Sequence, residues 1–120
     1  MHSILLVDDE PDIVAALSII LEQDGYEVRC AGNGIQALAC LATETIDVIV
    51  TDWMMPEMGG VELCARLKAT PELATVPILV HTSALLTGTG ETTSYDAYLR
   101  KPVPTELFLA TVAGLCKKIR

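Results

Sequence analysis

Short apolar runs alternating with helical stripes predict an α/β fold, a doubly wound five-stranded parallel sheet with helices on both faces. Three observations carry that prediction. Ile4-Leu5-Leu6-Val7, Val48-Ile49-Val50 and Ile78-Leu79-Val80 are continuous apolar runs, as strands buried on both faces require. Between them, apolar residues recur every three or four positions, and parallel neighbours need such helical crossovers, which are almost always right-handed. The runs also end on chemically loaded residues: Asp8 and Asp9 follow the first, and Asp52 closes the third.

The first strand stops at Asp8, Asp9 and Glu10, and Pro11 suits the first turn of a helix. Ile13, Leu17, Ile20 and Leu21 form that helix's stripe, which ends near Gly25. Val28 to Ala31 is a weak second strand, Asn33-Gly34 is turn chemistry, and Ile35, Leu38, Leu41 and Ala42 mark a second helix. The third strand spans Asp47 to Thr51. After Asp52, a loop with Pro56 and Gly59-Gly60 leads into a short helix through Val61, Cys64 and Leu67, closing near Pro71, and Pro77 opens the fourth strand. From Leu85 to Asp96, two Gly and four Thr stand where a fourth helix belongs, so that helix is expected to be short, irregular or frayed. A fifth strand near Ala97 to Arg100 precedes Pro102 and Pro104. Phe108, Val112, Leu115 and Ile119 stripe the closing helix, with Lys117, Lys118 and Arg120 complementing its dipole.

At 120 residues the chain is expected to be one domain, residues 1–120, with no output domain in it. Sixteen Asp and Glu against eight Lys and Arg give a net charge of −8, a field that repels phosphate backbones and anionic membranes. Direct nucleic-acid or membrane binding is therefore not expected. No apolar run approaches the roughly 20 residues of a membrane span, and the N-terminus lacks a basic stretch before an apolar signal core, so a cytoplasmic protein is expected. Cys30, Cys40, Cys64 and Cys116 lack metal-ligand or redox spacing and read as buried small apolar residues in a reducing compartment.

In open parallel sheets ligands sit beyond the carboxyl ends of the strands, where Asp8, Asp9 and Asp52 are delivered. Any one of them commonly caps a helix or opens a turn. Three at one sheet edge repel each other unless a cation neutralises them, and hard oxygen ligands favour Mg²⁺. Thr82, Ser83 and Lys101 reach the same edge, adding hydroxyls and an ammonium. Together these groups describe a phosphoryl site: an acceptor, a metal and donors for the terminal oxygens.

LLVDDEP at 5–11, DVIVTDWMMPEMGG at 47–60, PILVHTSA at 77–84 and YLRKP at 98–102 resemble bacterial two-component response-regulator receiver domains over essentially the whole chain. The resemblance implies a flavodoxin-like sheet of strand order 2-1-3-4-5. It implies that Asp52 is the phosphoacceptor, that Asp9, Asp52 and the Met54 backbone carbonyl ligate Mg²⁺, and that Asp8 helps through bound water. Lys101 would pair with the phosphoryl oxygens, ahead of a cis bond to Pro102. Thr82, five residues after Pro77, stands as the switch hydroxyl with Ser83 as alternative, and Tyr98 as the aromatic switch. The implied donor is a phosphohistidine on a histidine kinase or phosphotransfer protein, and the readout is a changed face toward a downstream protein or fused domain. A phosphorylation-dependent dimer is left open.

The resemblance makes the chain a signalling module rather than an enzyme, catalysing only its own phosphorylation and slow dephosphorylation. Met54 and Ala84 stand where the family tunes hydrolysis, and being apolar, as Leu85 would be if Ser83 were the switch, they cannot hydrogen-bond an attacking water. Met54 also argues against an Asp-nucleophile phosphohydrolase, which commonly has a second acid two residues after the nucleophile. A binding module independent of phosphorylation is disfavoured by the intact set Asp8, Asp9, Asp52, Thr82 and Lys101.

Overall fold

The computed structural model describes residues 1–84 and 95–117. Five strands form one parallel sheet: β1 (Ser3–Val7), β2 (Glu27–Ala31), β3 (Val48–Thr51), β4 (Ile78–Thr82) and β5 (Ala97–Arg100), in the order β2-β1-β3-β4-β5. The helices are α1 (Pro11–Gln23), α2 (Gly34–Thr43), α3 (Gly60–Ala69) and α4 (Thr105–Cys116). The expected irregular helix falls almost wholly on residues outside the described set, as do Lys118, Ile119 and Arg120 of the closing helix.

Strand alternation sorts the core into two layers. Leu5, Val7, Ile49, Ile78 and Val80 face α2 and α3, meeting Ala37, Leu63, Cys64 and Leu67. Ile4, Leu6, Val48, Val50 and Leu79 face α1 and α4, meeting Leu21, Phe108, Val112 and Leu115. β1, β3 and β4 are therefore covered on both faces, which is why their sequences are unbroken apolar runs. β2 lies at the sheet edge, half-exposed, and accordingly carries polar residues that weaken its strand pattern.

The strand registers set the height of the functional residues. Val7 pairs with Ala31 and Thr51, and Thr51 with Val80, so Asp8 and Asp52 leave the sheet on adjacent strands at the same level. The N–H of Asp8 donates to the Ala31 carbonyl (3.0 Å) and that of Asp52 to the Val7 carbonyl (2.9 Å), extending the ladder through both acids. Thr82 pairs with Arg100, which brings Lys101 up beside the end of β4.

One cysteine departs from the expected burial. Cys64 and Cys116 are buried and Cys40 is half-buried, but Cys30 is exposed on the edge strand, 3.3 Å from the Ser18 hydroxyl. The edge position leaves that face of β2 with little to cover it.

His81 is a titratable group in the core, 7% exposed on β4, its ring 5.4 Å from that of Phe108. Burial, then the charge of Lys101, depresses its pKa to about 4, against a smaller opposing effect of Asp52. The folded imidazole is thus neutral where the unfolded one, near 6.5, begins to charge. The unfolded state binds the extra proton, so His81's contribution is complete above pH 6.5 and is lost as pH falls toward 4, in total about 3 kcal/mol. Urea unfolding from pH 7 to 4 should show this slope in wild type and a shallower one in His81→Leu; equal slopes would refute the assignment.

Candidate functional site

The ends of β1, β3 and β5 converge on one ammonium group. Lys101 Nζ lies 3.0 Å from Asp8 Oδ2, 3.2 Å from Asp52 Oδ2 and 3.8 Å from Glu10 Oε1. The Lys101 side chain is only 13% exposed, so three elements separated widely in sequence pay for one buried charge network. The backbone fixes the lysine: its N–H donates to the Thr82 carbonyl at 2.8 Å, and its bond to Pro102 is cis.

Asp52 is gripped at both oxygens. Oδ1 accepts the N–H of Trp53 at 2.7 Å and, more weakly, that of Met54 at 3.4 Å, while Oδ2 faces Lys101. Burial raises the Asp52 pKa, but a hydrogen bond from the Thr82 side chain, the charge of Lys101 and the Trp53 N–H outweigh it, leaving the carboxyl below its ordinary value. Asp52 is therefore ionised at neutral pH with a negative oxygen held in place, as a nucleophile requires. Lys101 shows the reciprocal effect. Burial lowers its pKa, and the hydrogen bonds and charges of Asp8 and Asp52 more than restore it, so it stays cationic.

Asp8 serves two purposes at once. Its Oδ1 accepts the Glu10 N–H at 3.0 Å, ordering the turn into α1, while Oδ2 engages Lys101. The turn-ordering and charge-cluster readings of this residue both hold, while α1 itself has no side-chain cap.

Asp9 and Glu10 leave the turn on different sides. Asp9 is exposed and lines a cleft with Pro11, Cys30 and Asn33. Among the described residues, the acids that offer oxygens within 4.8 Å of one another are Asp8, Glu10 and Asp52. Glu10 is the N-cap of α1 and caps nothing with its side chain, which leaves its carboxylate available to the cluster. Its position directly before Pro11 was the sequence signal for that junction.

Thr82 and Ser83 are separated by the pleat. Thr82 is 1% exposed and its side chain acts on the Asp52 carboxyl, whereas Ser83 is exposed. The Thr82 hydroxyl also accepts the Ala84 N–H at 3.3 Å, and the Ala84 carbonyl accepts the Tyr98 hydroxyl at 2.6 Å. A hydrogen-bonded path therefore runs from Thr82, beside Asp52, through Ala84 to Tyr98, which is half-buried against the α2–α3 layer. Met54 is 68% exposed.

Three carboxylates around a buried ammonium form a hard-oxygen donor set that fits a small divalent cation. A family model described as the response regulator receiver domain matches residues 4–113. The chain belongs to that family. The receiver domain is 34% identical to the DNA-binding dual master transcriptional regulator RpaA of Synechocystis and 35% identical to the response regulator MprA of Mycobacterium avium. In both cases 98% of this chain is covered. It spans about half the length of these relatives, 50% and 52% respectively. Among solved structures, it resembles the signal receiver domain of a histidine kinase from Syntrophus aciditrophicus (30% identity, TM-score 0.88, 100% of this chain and 93% of that one). It also resembles the response regulator TrrA of Thermotoga maritima in complex with Mg²⁺-BeF (28% identity, TM-score 0.87, 96% and 99%). The chain is thus a receiver module of the two-component class, and its acidic cluster fits a phosphoacceptor site. Among the described residues, no helix is long and apolar enough to cross a membrane.

Lys101 is the counter-ion of this receiver domain's site, so replacing it leaves two buried carboxylates facing each other. Lys101→Met should cost about 3 kcal/mol in chelator, and the loss should shrink when Mg²⁺ supplies the missing charge. Paired urea titrations with EDTA and with Mg²⁺ measure this; wild-type stability in EDTA would show that the pairing contributes nothing.

Proposed function

We propose that this chain accepts a phosphoryl group on Asp52 from a phosphohistidine of a histidine kinase or phosphotransfer protein, and switches a protein partner or fused domain through Thr82 and Tyr98. The observation that supports it most is the ionised Asp52 carboxylate, held between backbone N–H groups and Lys101, with the Thr82 hydroxyl beside it. An Asp52 oxygen attacks phosphorus, the bond from phosphorus to the imidazole nitrogen breaks, and the electron pair leaves with the imidazole. Lys101, already cationic, exchanges a carboxylate partner for an incoming phosphoryl oxygen as charge moves.

Mg²⁺ fits the donor set, and we assign it to Asp8, Asp9, Asp52 and the Met54 carbonyl, with Glu10 as a further acid beside them. When bound, it supplies positive charge to the transferring group. Asp9, exposed at the rim, would have to turn inward to join.

The switch we propose uses the hydrogen-bonded path at the end of β4. Drawing the Thr82 hydroxyl toward a phosphoryl oxygen competes with its bond to the Ala84 N–H, and moving Ala84 loosens the Tyr98 hydroxyl from the Ala84 carbonyl. The burial of Thr82 favours it over Ser83. Partner binding or dimerisation then follows from the altered face near β5. We assign the chain to the cytoplasm, where such donors work. With a net charge of −8, we assign any nucleic-acid contact of a longer protein to segments outside this chain.

Trp53 adjoins the acceptor and lies edge-on to Tyr95 at 5.7 Å, so its fluorescence reports on the site. A saturable response to Mg²⁺ and a second response to beryllofluoride are expected, the second absent in Asp52→Asn. Silence to both would overturn the acceptor assignment.

Met54 and Ala84 offer an attacking water no side-chain hydrogen bond, so the acyl phosphate should be long-lived. After labelling with acetyl phosphate, Met54→Asn should lose its phosphate faster than wild type, by roughly tenfold, the rate equivalent of about one hydrogen bond to the attacking water. An unchanged or slower loss would show that Met54 does not set the lifetime.

A further inference from the structure

The loop of residues 53–59, which carries the Trp53 and Met54 N–H groups that hold Asp52, is fastened from outside by the N-terminus of α2. Asn33 is the N-cap of α2 and is 8% exposed. Its Oδ1 accepts the Gln36 N–H at 2.9 Å, and its Nδ2 donates to Glu57 Oε1 at 3.2 Å. The next residue adds a backbone tie, the Gly34 N–H donating to the Met58 carbonyl at 2.9 Å. A larger residue at Gly34 would displace the Met58 side chain, since a Cβ there would lie 2.6 Å from Met58 Cγ.

Glu57 sits in the left-handed region at φ 67°, which disfavours any side-chain-bearing residue, so something must hold it. Asn33 grips the side chain of that residue. On the other side, the Gly60 N–H donates to the Trp53 carbonyl at 3.0 Å, closing the loop against the acceptor.

We propose that Asn33 is a positioning residue for phosphoryl acceptance: by clamping Glu57 it holds the loop that presents Trp53 and Met54 to Asp52. This rests on reading Asp52 as the acceptor. Asn33 touches neither metal nor phosphoryl group and acts through Glu57.

The test separates the clamp from the helix cap. Asn33→Ser keeps an oxygen for the Gln36 N–H but has no amide for Glu57. Its Mg²⁺ affinity, read from Trp53 fluorescence, should fall roughly tenfold, the low end for outer partners of a metal site, with its melting temperature close to wild type. Phosphorylation by acetyl phosphate should slow in parallel. Glu57→Gln, which keeps an acceptor oxygen for Asn33, should retain more affinity than Glu57→Ala. Asn33→Ser/Glu57→Ala should be no worse than the weaker single variant, because both break one contact. Wild-type affinity in Asn33→Ser overturns the proposal, as does a loss matched by a fall in melting temperature, which would mark Asn33 as a helix cap only. A wild-type chain silent to Mg²⁺ would instead overturn the acceptor reading, and this proposal with it.

Discussion

The contact between the Lys101 ammonium and the carboxylates of Asp8 and Asp52 is the constraint around which the rest of the molecule is arranged. Two buried acids at adjacent strand ends repel each other, and the apolar core beneath them screens that repulsion poorly. One lysine from a third strand neutralises both. For that to work, β1, β3 and β5 must end at compatible heights, which the parallel registers through β4 arrange. The sheet is in this sense a ruler that sets the distances of a charge cluster.

The same arrangement explains why the site is reactive rather than merely stable. A buried ion pair is a poor source of stability, because desolvation cancels most of the attraction. Here the Thr82 side chain and the attraction to Lys101 together hold the Asp52 carboxyl below its ordinary pKa against the effect of its burial. It also leaves Lys101 with more than one acceptor, so losing one carboxylate contact to an incoming anion does not strand the charge. Asp52 keeps its Oδ1 hydrogen bonds from the loop backbone whichever partner Lys101 holds.

Most of the fold was legible because burial on two faces writes itself as an unbroken apolar run, as in Ile4–Val7 and Ile78–Val80. The core of the site was legible for a related reason: in a parallel sheet, whatever follows such a run lands at one edge. Strand order alone therefore brings Asp8, Asp52, Thr82 and Lys101 to that edge. What strand ends deliver together, loop turns then sort apart. Asp9 and Glu10 differ by one position, yet the turn ordered by Asp8 puts the first outside the cluster and the second within it. Burial likewise divides Thr82 from Ser83, a distinction the hydroxyl chemistry of the two does not carry. His81 was hidden by context, since a histidine inside an apolar run reads as a strand residue until a ring such as Phe108 is seen against it.

Asn33 shows how far this limit reaches. Asn-Gly between a strand and a helix signals a turn, and the turn is there. Nothing local to that dipeptide points to Glu57, 24 residues on, because the two meet only after β3 has been laid beside β1 and its loop folded back over α2. An asparagine can cap with its oxygen and still donate with a separate nitrogen, whereas an ionised aspartate has no donor and serine has only one short hydroxyl for both partners. The residue that best satisfies the local turn is thus also one able to tie that turn to the acceptor loop. A single side chain meets a secondary-structure requirement and a site requirement together, and sequence alone displays only the first.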